Sequence, residues 1–208
     1  MLDLGFADEL RAVYAALPKK RQTLLFSATF SEAIRLLAGQ MLDNPLSIEV
    51  SPRNVAASSV KQWLIPVDKK RKTELFCHLL KKQKWTQALV FVKTRKGVDE
   101  LTELLQQQGI NADGIHGDKP QATRQRALDR FKAREVQILL ATDVAARGLD
   151  IDDLPLVVNF DLPIVAEDYV HRIGRTGRAG NSGQAISLVC ADEVNMLAAI
   201  EVLTGQLI

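Results

Sequence analysis

From residue 60 onward the chain alternates short runs that are apolar at successive positions with longer segments whose apolar residues fall three and four apart. The runs 62–67, 88–92, 112–115, 137–141, 156–160 and 184–189 predict strands, and the segments 70–81, 96–107, 124–132, 166–172 and 193–203 predict helices. The stretch Ala88-Leu89-Val90-Phe91-Val92 has no polar position at all, which suits a strand covered on both faces, as in a parallel sheet between helices. Strands alternating with helices imply right-handed crossovers and an open α/β sheet. Such sheets bind ligands at the carboxyl ends of their strands, so the loops there are where chemistry is expected.

The first 50 residues follow the same alternation but stop short of a domain. They predict a helix over 7–17, a strand over 23–26, a helix over 31–42 with Ser31 as its cap, and a strand over 47–50. Two strands and two helices cannot close a core of their own, so this is an incomplete α/β segment. Residues 51–59 are small, polar and broken by Pro52, the composition of a linker. The expected organisation is therefore residues 1–50, a linker over 51–59, and one full domain over 60–208.

Composition narrows the function classes. In 208 residues, 47% are hydrophobic and 25% charged, which provides a packed core and excludes wholesale disorder. Lysine and arginine number 27 against 25 acidic residues, a net charge of +2, so bulk charge cannot carry nucleic-acid binding and local arginines would have to. Cys77 and Cys190 offer neither a zinc-type pair nor a disulfide framework and read as reduced core thiols in a reducing compartment. No apolar run reaches the roughly 18 residues needed to cross a bilayer. With Asp3, Asp8 and Glu9 where a signal peptide would be basic, a cytoplasmic protein away from membranes is expected.

Two segments carry candidate chemistry. Residues 136–151 run from a buried strand into a polar turn in which Thr142 brings a hydroxyl, Arg147 a guanidinium, Gly148 freedom for positive φ, and Asp150 a carboxylate. That set suits a phosphate backbone and a sugar hydroxyl. A plain strand-to-helix turn capped by Asp143 and Asp150 accounts for it equally well. Residues 169–180 read Tyr-Val-His-Arg-Ile-Gly-Arg-Thr-Gly-Arg-Ala-Gly, with Glu167 and Asp168 opening the helix and His171, Arg172 and Arg175 near its end, in the sense the helix dipole favours. Arg175 and Arg178 flank a turn containing Gly177, with Gly174 just before it and Gly180 beyond. Two guanidinium groups there can neutralise charge on a transferring phosphoryl group. A solvated basic surface is the alternative, but it has no need of three glycines. The run Lys69-Lys70-Arg71-Lys72 reads as a solvated helix start.

Taken in order, these strings resemble the carboxyl-terminal RecA-like half of a DEAD-box ATP-dependent RNA helicase, most like the RhlE type. The resemblance spans the chain. It rests on Ser27-Ala28-Thr29, Leu89-Val90-Phe91-Val92-Lys93-Thr94-Arg95, Gln121 and Arg124 after His116-Gly117-Asp118, residues 141–150, and residues 171–178. It implies that Arg175 and Arg178 act as arginine fingers on the γ-phosphate of ATP, and that His171 links nucleotide state to domain closure. It further implies that Asp150 touches the ATP ribose, and that Thr94, Gln121, Arg124, Thr142 and Gly148 contact the phosphates and 2′-hydroxyls of RNA. Ser27 and Thr29 would couple hydrolysis to unwinding.

The chain departs from the family in one large respect. It contains no Gly-x-x-x-x-Gly-Lys-Ser/Thr phosphate loop and no Asp-Glu-Ala-Asp. The resemblance thus implies that ATP with Mg2+ is held mainly by a missing amino-terminal RecA-like domain. The expectation is a chain that starts just past the acidic motif and is inactive alone. Self-association through the apolar surfaces of residues 1–50, or packing of this piece onto the intact domain, is also expected. Two other classes remain open: a non-catalytic RNA-binding module and a protein-interaction platform. A DNA helicase half fits the string at 141–150 less well.

Overall fold

The computed structural model of the chain describes residues 7–27, 32–48, 60–151, 153–177 and 183–208. Residues 1–53 and 54–208 cluster as two compact units, each taken by itself below.

The larger unit is a six-stranded, all-parallel sheet of strands β1 (Val60–Pro66), β2 (Ala88–Phe91), β3 (Ala112–Ile115), β4 (Ile138–Ala141), β5 (Leu156–Asn159) and β6 (Gly183–Val189), in the order β1-β6-β5-β2-β4-β3. Helices α3 (Lys72–Gln83), α4 (Arg95–Gln107), α5 (Gln121–Lys132), a short α6 (Asp143–Ala146) and α7 (Ala166–Ile173) connect the strands, and α8 (Val194–Thr204) follows β6. The wholly apolar strands are explained by burial on both faces. Along β2, Ala88 and Val90 pack with Phe76, Leu80, Val98 and Leu105, while Leu89 and Phe91 face the opposite layer with Leu128, Phe131 and Leu139. A third cluster, holding Tyr169, Ile173, Ala185 and Ile200, seats α7 and α8 on β6. The buried Tyr169 hydroxyl donates to Gln62 Oε1 at 2.7 Å, and burial pushes its pKa up to about 12. Cys77 and Cys190 are both free and buried.

Because every strand is parallel, the carboxyl ends of β2, β4 and β3 lie side by side at one edge of the sheet. Thr94, Thr142 and the loop from His116 to Gln121 follow those ends directly.

Three differences from the sequence pattern have physical causes. The segment predicted as helix from residue 70 opens as a 3-10 turn, Lys69–Arg71, fixed by Asp68 Oδ1 accepting from Lys70 N at 2.8 Å. Of the basic run expected to be solvated, Lys72 is instead buried: its Nζ meets Glu193 Oε2 at 2.6 Å, the Phe160 carbonyl at 2.9 Å and Asp161 Oδ1 at 3.3 Å. It stands on the same stripe of α3 as Phe76 and Leu80, so burial required a partner. Helix α5 begins three residues earlier than predicted, immediately after Pro120, which suits a helix start. The turn after α7 approaches β6 so closely that a Cβ on Gly183 would collide with the backbone of Gly177.

In the smaller unit, α1 (Ala7–Ala16) and α2 (Glu32–Met41) form near their predicted limits. The strand expected over 23–26 does not: residues 21–27 have no regular secondary structure. A strand needs a neighbour to complete its ladder, and among the described residues of this unit none pairs with it. Ser47 and Ile48 are likewise not in a strand, while Glu49, Val50 and the expected linker 51–59 lie outside the described residues. No described residue of this unit is buried, and Leu24, Phe26, Leu46 and Ile48 are exposed.

Candidate functional site

The site assembles on the carboxyl edge of β2, β3 and β4 and along the path from β4 to α7. Thr94 is exposed at the end of β2 and caps α4, its Oγ1 accepting from Gly97 N at 3.0 Å. Gln121 and Arg124 are one turn apart on α5, and Arg124 Nη1 donates to Gln121 Oε1 at 3.1 Å. The Arg124 Nε is buried without a hydrogen-bond partner. Beside them, the buried His116 accepts from Asp118 N at 3.3 Å through Nδ1, which leaves Nε2 to donate to Asp99 at 3.0 Å. Lys119 pairs with the same carboxylate at 3.1 Å. Burial alone would raise Asp99, but His116 and Lys119 outweigh it and hold the carboxyl below its ordinary value. Arg95 pairs with Asp118 across the same loop.

Thr142 directly follows β4, buried, at the cap position of α6, with its hydroxyl not used as a cap. Gly148 follows with φ +72°, and nothing lies within 4 Å of where a Cβ would stand, so conformation rather than crowding asks for glycine. Asp150 is exposed and pairs with Lys132 at 3.0 Å.

Helix α7 is joined to this segment by three arginines. Arg172 bonds Asp143 in bidentate fashion, Nε to Oδ1 at 2.6 Å and Nη2 to Oδ2 at 2.7 Å, and also donates to Asn159 Oδ1 at 3.0 Å and the Asp161 carbonyl at 2.7 Å. Arg147 Nη2 reaches Asp168 Oδ1 at 2.6 Å, and Arg175 Nη1 donates to the Leu149 carbonyl at 2.9 Å. His171 is exposed on α7 with Nδ1 3.8 Å from Asp168 Oδ1. Thus Thr142, Gly148 and Asp150 belong to one segment that contacts Arg175 directly. Ser27 is described, exposed and in the smaller unit. Thr29 and Arg178 lie outside the described residues.

Reading the sequence as helix-end charge missed the role of Arg172. Its spacing held the signal: with Tyr169 and Ile173 it falls at i, i+3 and i+4 on the apolar stripe of α7, so it had to be buried and paired. Among the described residues no group of three or more His, Cys, Asp or Glu side chains is placed to hold a metal ion.

Residues 71–180 match the helicase conserved C-terminal domain. The chain is 44% identical over 206 residues to the DEAD-box ATP-dependent RNA helicase CshA of Bacillus licheniformis, covering 99% of this chain and 42% of that protein. It is 43% identical to CshA of Bacillus subtilis, with the same coverage. It therefore spans about two fifths of the length of these relatives. Among solved structures, S. cerevisiae Dbp5 bound to RNA and ADP BeF3 superposes with a TM-score of 0.86 at 34% identity, over 97% of this chain and 54% of that one. The E. coli DEAD-box protein SrmB bound to regulator of ribonuclease activity A gives 0.65 at 44% identity, over 69% of this chain and 85% of that one. The parallel RecA-like sheet, the match over 71–180 and these likenesses agree, and the chain belongs to the helicase conserved C-terminal domain family, as a domain of the DEAD-box type.

Proposed function

We propose that this chain supplies the carboxyl-terminal RecA-like half of an ATP-dependent RNA helicase that pries apart short RNA duplexes, in the cytoplasm. In this reading Arg175 and Arg178 are the arginine fingers on the γ-phosphate and Asp150 meets the ribose. His171 senses the nucleotide across the interdomain cleft. Ser27 and Thr29 couple hydrolysis to unwinding. An amino-terminal RecA-like domain of the intact protein holds ATP with Mg2+. The half-buried guanidinium of Arg175 and the exposed carboxylate of Asp150 suit phosphate and ribose respectively.

RNA runs over Thr94, Gln121, Arg124, Thr142 and Gly148. These residues offer hydroxyls, an amide, a guanidinium and an open backbone rather than a base-reading edge. Such a grip favours backbone and 2′-hydroxyl contacts, hence RNA over DNA with little sequence preference. The observation that carries the reading is the bond from Arg175 to the Leu149 carbonyl, because it ties the finger helix to the turn that bears Gly148 and Asp150. Assignment to the RhlE type rests on the motif strings, the curated relatives above being CshA proteins.

The chain alone is expected to show no ATPase activity. Residues 1–50 are expected to associate with the remainder of an amino-terminal domain or, without it, with a second copy. A finger arginine is worth about 10³ to 10⁵ in rate, roughly 4 to 7 kcal/mol of transition-state stabilisation. Arg175→Ala in the intact enzyme should therefore reduce RNA-stimulated ATP turnover to background with the circular dichroism spectrum unchanged. Near wild-type turnover would refute the assignment. A second reading, a protein-interaction platform, draws on the likeness to SrmB in its complex with a regulatory protein. Retention of partner binding by a variant that no longer binds RNA would favour it.

A further inference from the structure

The three arginine links between the segment after β4 and helix α7 differ in kind. Arg172 is 2% exposed and its donors are taken up by Asp143, Asn159 and the Asp161 carbonyl, which makes a static joint. Arg175 leans on a backbone oxygen. The third link joins two side chains that keep 28% and 15% of their surface in water, Arg147 and Asp168 at 2.6 Å. The oxygen of Asp168 that accepts from Arg147 also stands 3.8 Å from His171 Nδ1. One carboxylate oxygen thus lies between the guanidinium next to the Gly148 turn and the imidazole on the nucleotide side.

We propose that Asp168 is a positioning residue that relays occupancy of the Gly148 turn by RNA to His171 and Arg175, a step that rests on the function proposed above. The local chemistry suits a relay. A short charge-assisted bond gives the Arg147 guanidinium one favoured orientation. The positive φ of Gly148 makes the adjoining backbone a natural pivot. Helix α7 transmits a shift at residue 168 as a rigid rod to His171 one turn on and to Arg175 just past its end. Burial alone would raise the Asp168 carboxyl, but His171 and Arg147 outweigh it and hold the group below its ordinary value, so it is ionised at neutral pH.

The test is Asp168→Asn in the intact helicase, read as the ratio of ATP turnover with and without single-stranded RNA and as the RNA concentration giving half-maximal stimulation. Asparagine keeps the shape and loses the charge, and a charge-assisted bond of this kind is worth about a factor of ten. The ratio should fall about tenfold, half-maximal RNA should rise, and Asp168→Glu should restore part of the ratio. A merely structural role would lower the thermal midpoint while leaving the ratio intact, so both are measured. Should Asp168→Asn fail to fold, Arg147→Gln breaks the same link from the other side and is read by the same ratio. An unchanged ratio in a folded variant overturns the relay and leaves the proposed function standing. A wild-type enzyme without RNA-stimulated turnover overturns both.

Discussion

Arg172→Ala probes the site at its most buried charge. Wild-type Arg172 makes two bonds to Asp143, one to Asn159 and one to the Asp161 carbonyl, and its guanidinium lies 4.8 Å from the centroid of the Phe91 ring. Alanine would strand the Asp143 carboxylate and the fully buried Asn159 amide and open a cavity against Phe91. Breaking a buried pair from one side costs about 3–5 kcal/mol. Because Asp143 keeps 28% of its side chain in water, solvent shares its charge and the lower part of that range applies, about 3–4 kcal/mol. At roughly 2–4 °C per kcal/mol for a domain of this size, the midpoint of thermal unfolding should drop by about 6–16 °C. Arg172→Met combined with Asp143→Leu replaces both charges by apolar groups and should recover most of the loss, because desolvation opposes the pair in the native protein. Circular dichroism melts of the three proteins at neutral pH decide the matter. A drop under about 2 °C for alanine, or a double variant no more stable than Arg172→Ala, would refute the reasoning.

Two further outcomes concern acid stability and association. Glu193 accepts from Lys72 Nζ at 2.6 Å, Leu162 N at 2.9 Å and Cys190 N at 3.0 Å; burial alone would raise its carboxyl, but these bonds bring it below its ordinary 4.5. A depressed carboxyl stabilises the fold above its unfolded pKa and ceases to do so as pH falls through the folded value. Urea midpoints of the wild type should therefore decline below pH 4.5 and those of Glu193→Gln, less stable at neutral pH, should decline less; parallel curves would count against it. Light scattering on the 208-residue chain should give a mass that rises with concentration and falls back with Leu24→Ser and Phe26→Ser together, since these side chains are 67% and 87% exposed. A monomer with a protease-sensitive amino terminus would refute self-association.

Strands β2, β4 and β5 were legible because each is buried on both faces, so that hydrophobicity at successive positions marks them, whereas the edge strand β1 is half-exposed. Strand 112–115 matches at both ends, and the others match within two residues. The pattern places the start of α5 three residues late because Gln121, Ala122 and Thr123 are exposed and carry no apolar period. The strand expected at 23–26 shows the limit of pattern reading: alternation states that a segment can pair, and only a neighbour makes it do so. The candidate site residues Thr142, Gly148, Asp150, His171 and Arg175 are visible as types in a local order, and their contacts are not.

What the residues alone determined is the register of apolar strands and helices, and with it a parallel α/β sheet whose strand ends carry the polar turns. That follows from burial, which acts on each position separately. What tertiary structure decided is which charges meet: Arg172 with Asp143, Lys72 with Glu193 across 121 residues, and Arg147 with Asp168. Such pairings depend on strand order and on which helix faces which loop. Sequence spacing does not encode them, because a buried charge specifies that a partner must exist without specifying where along the chain it comes from.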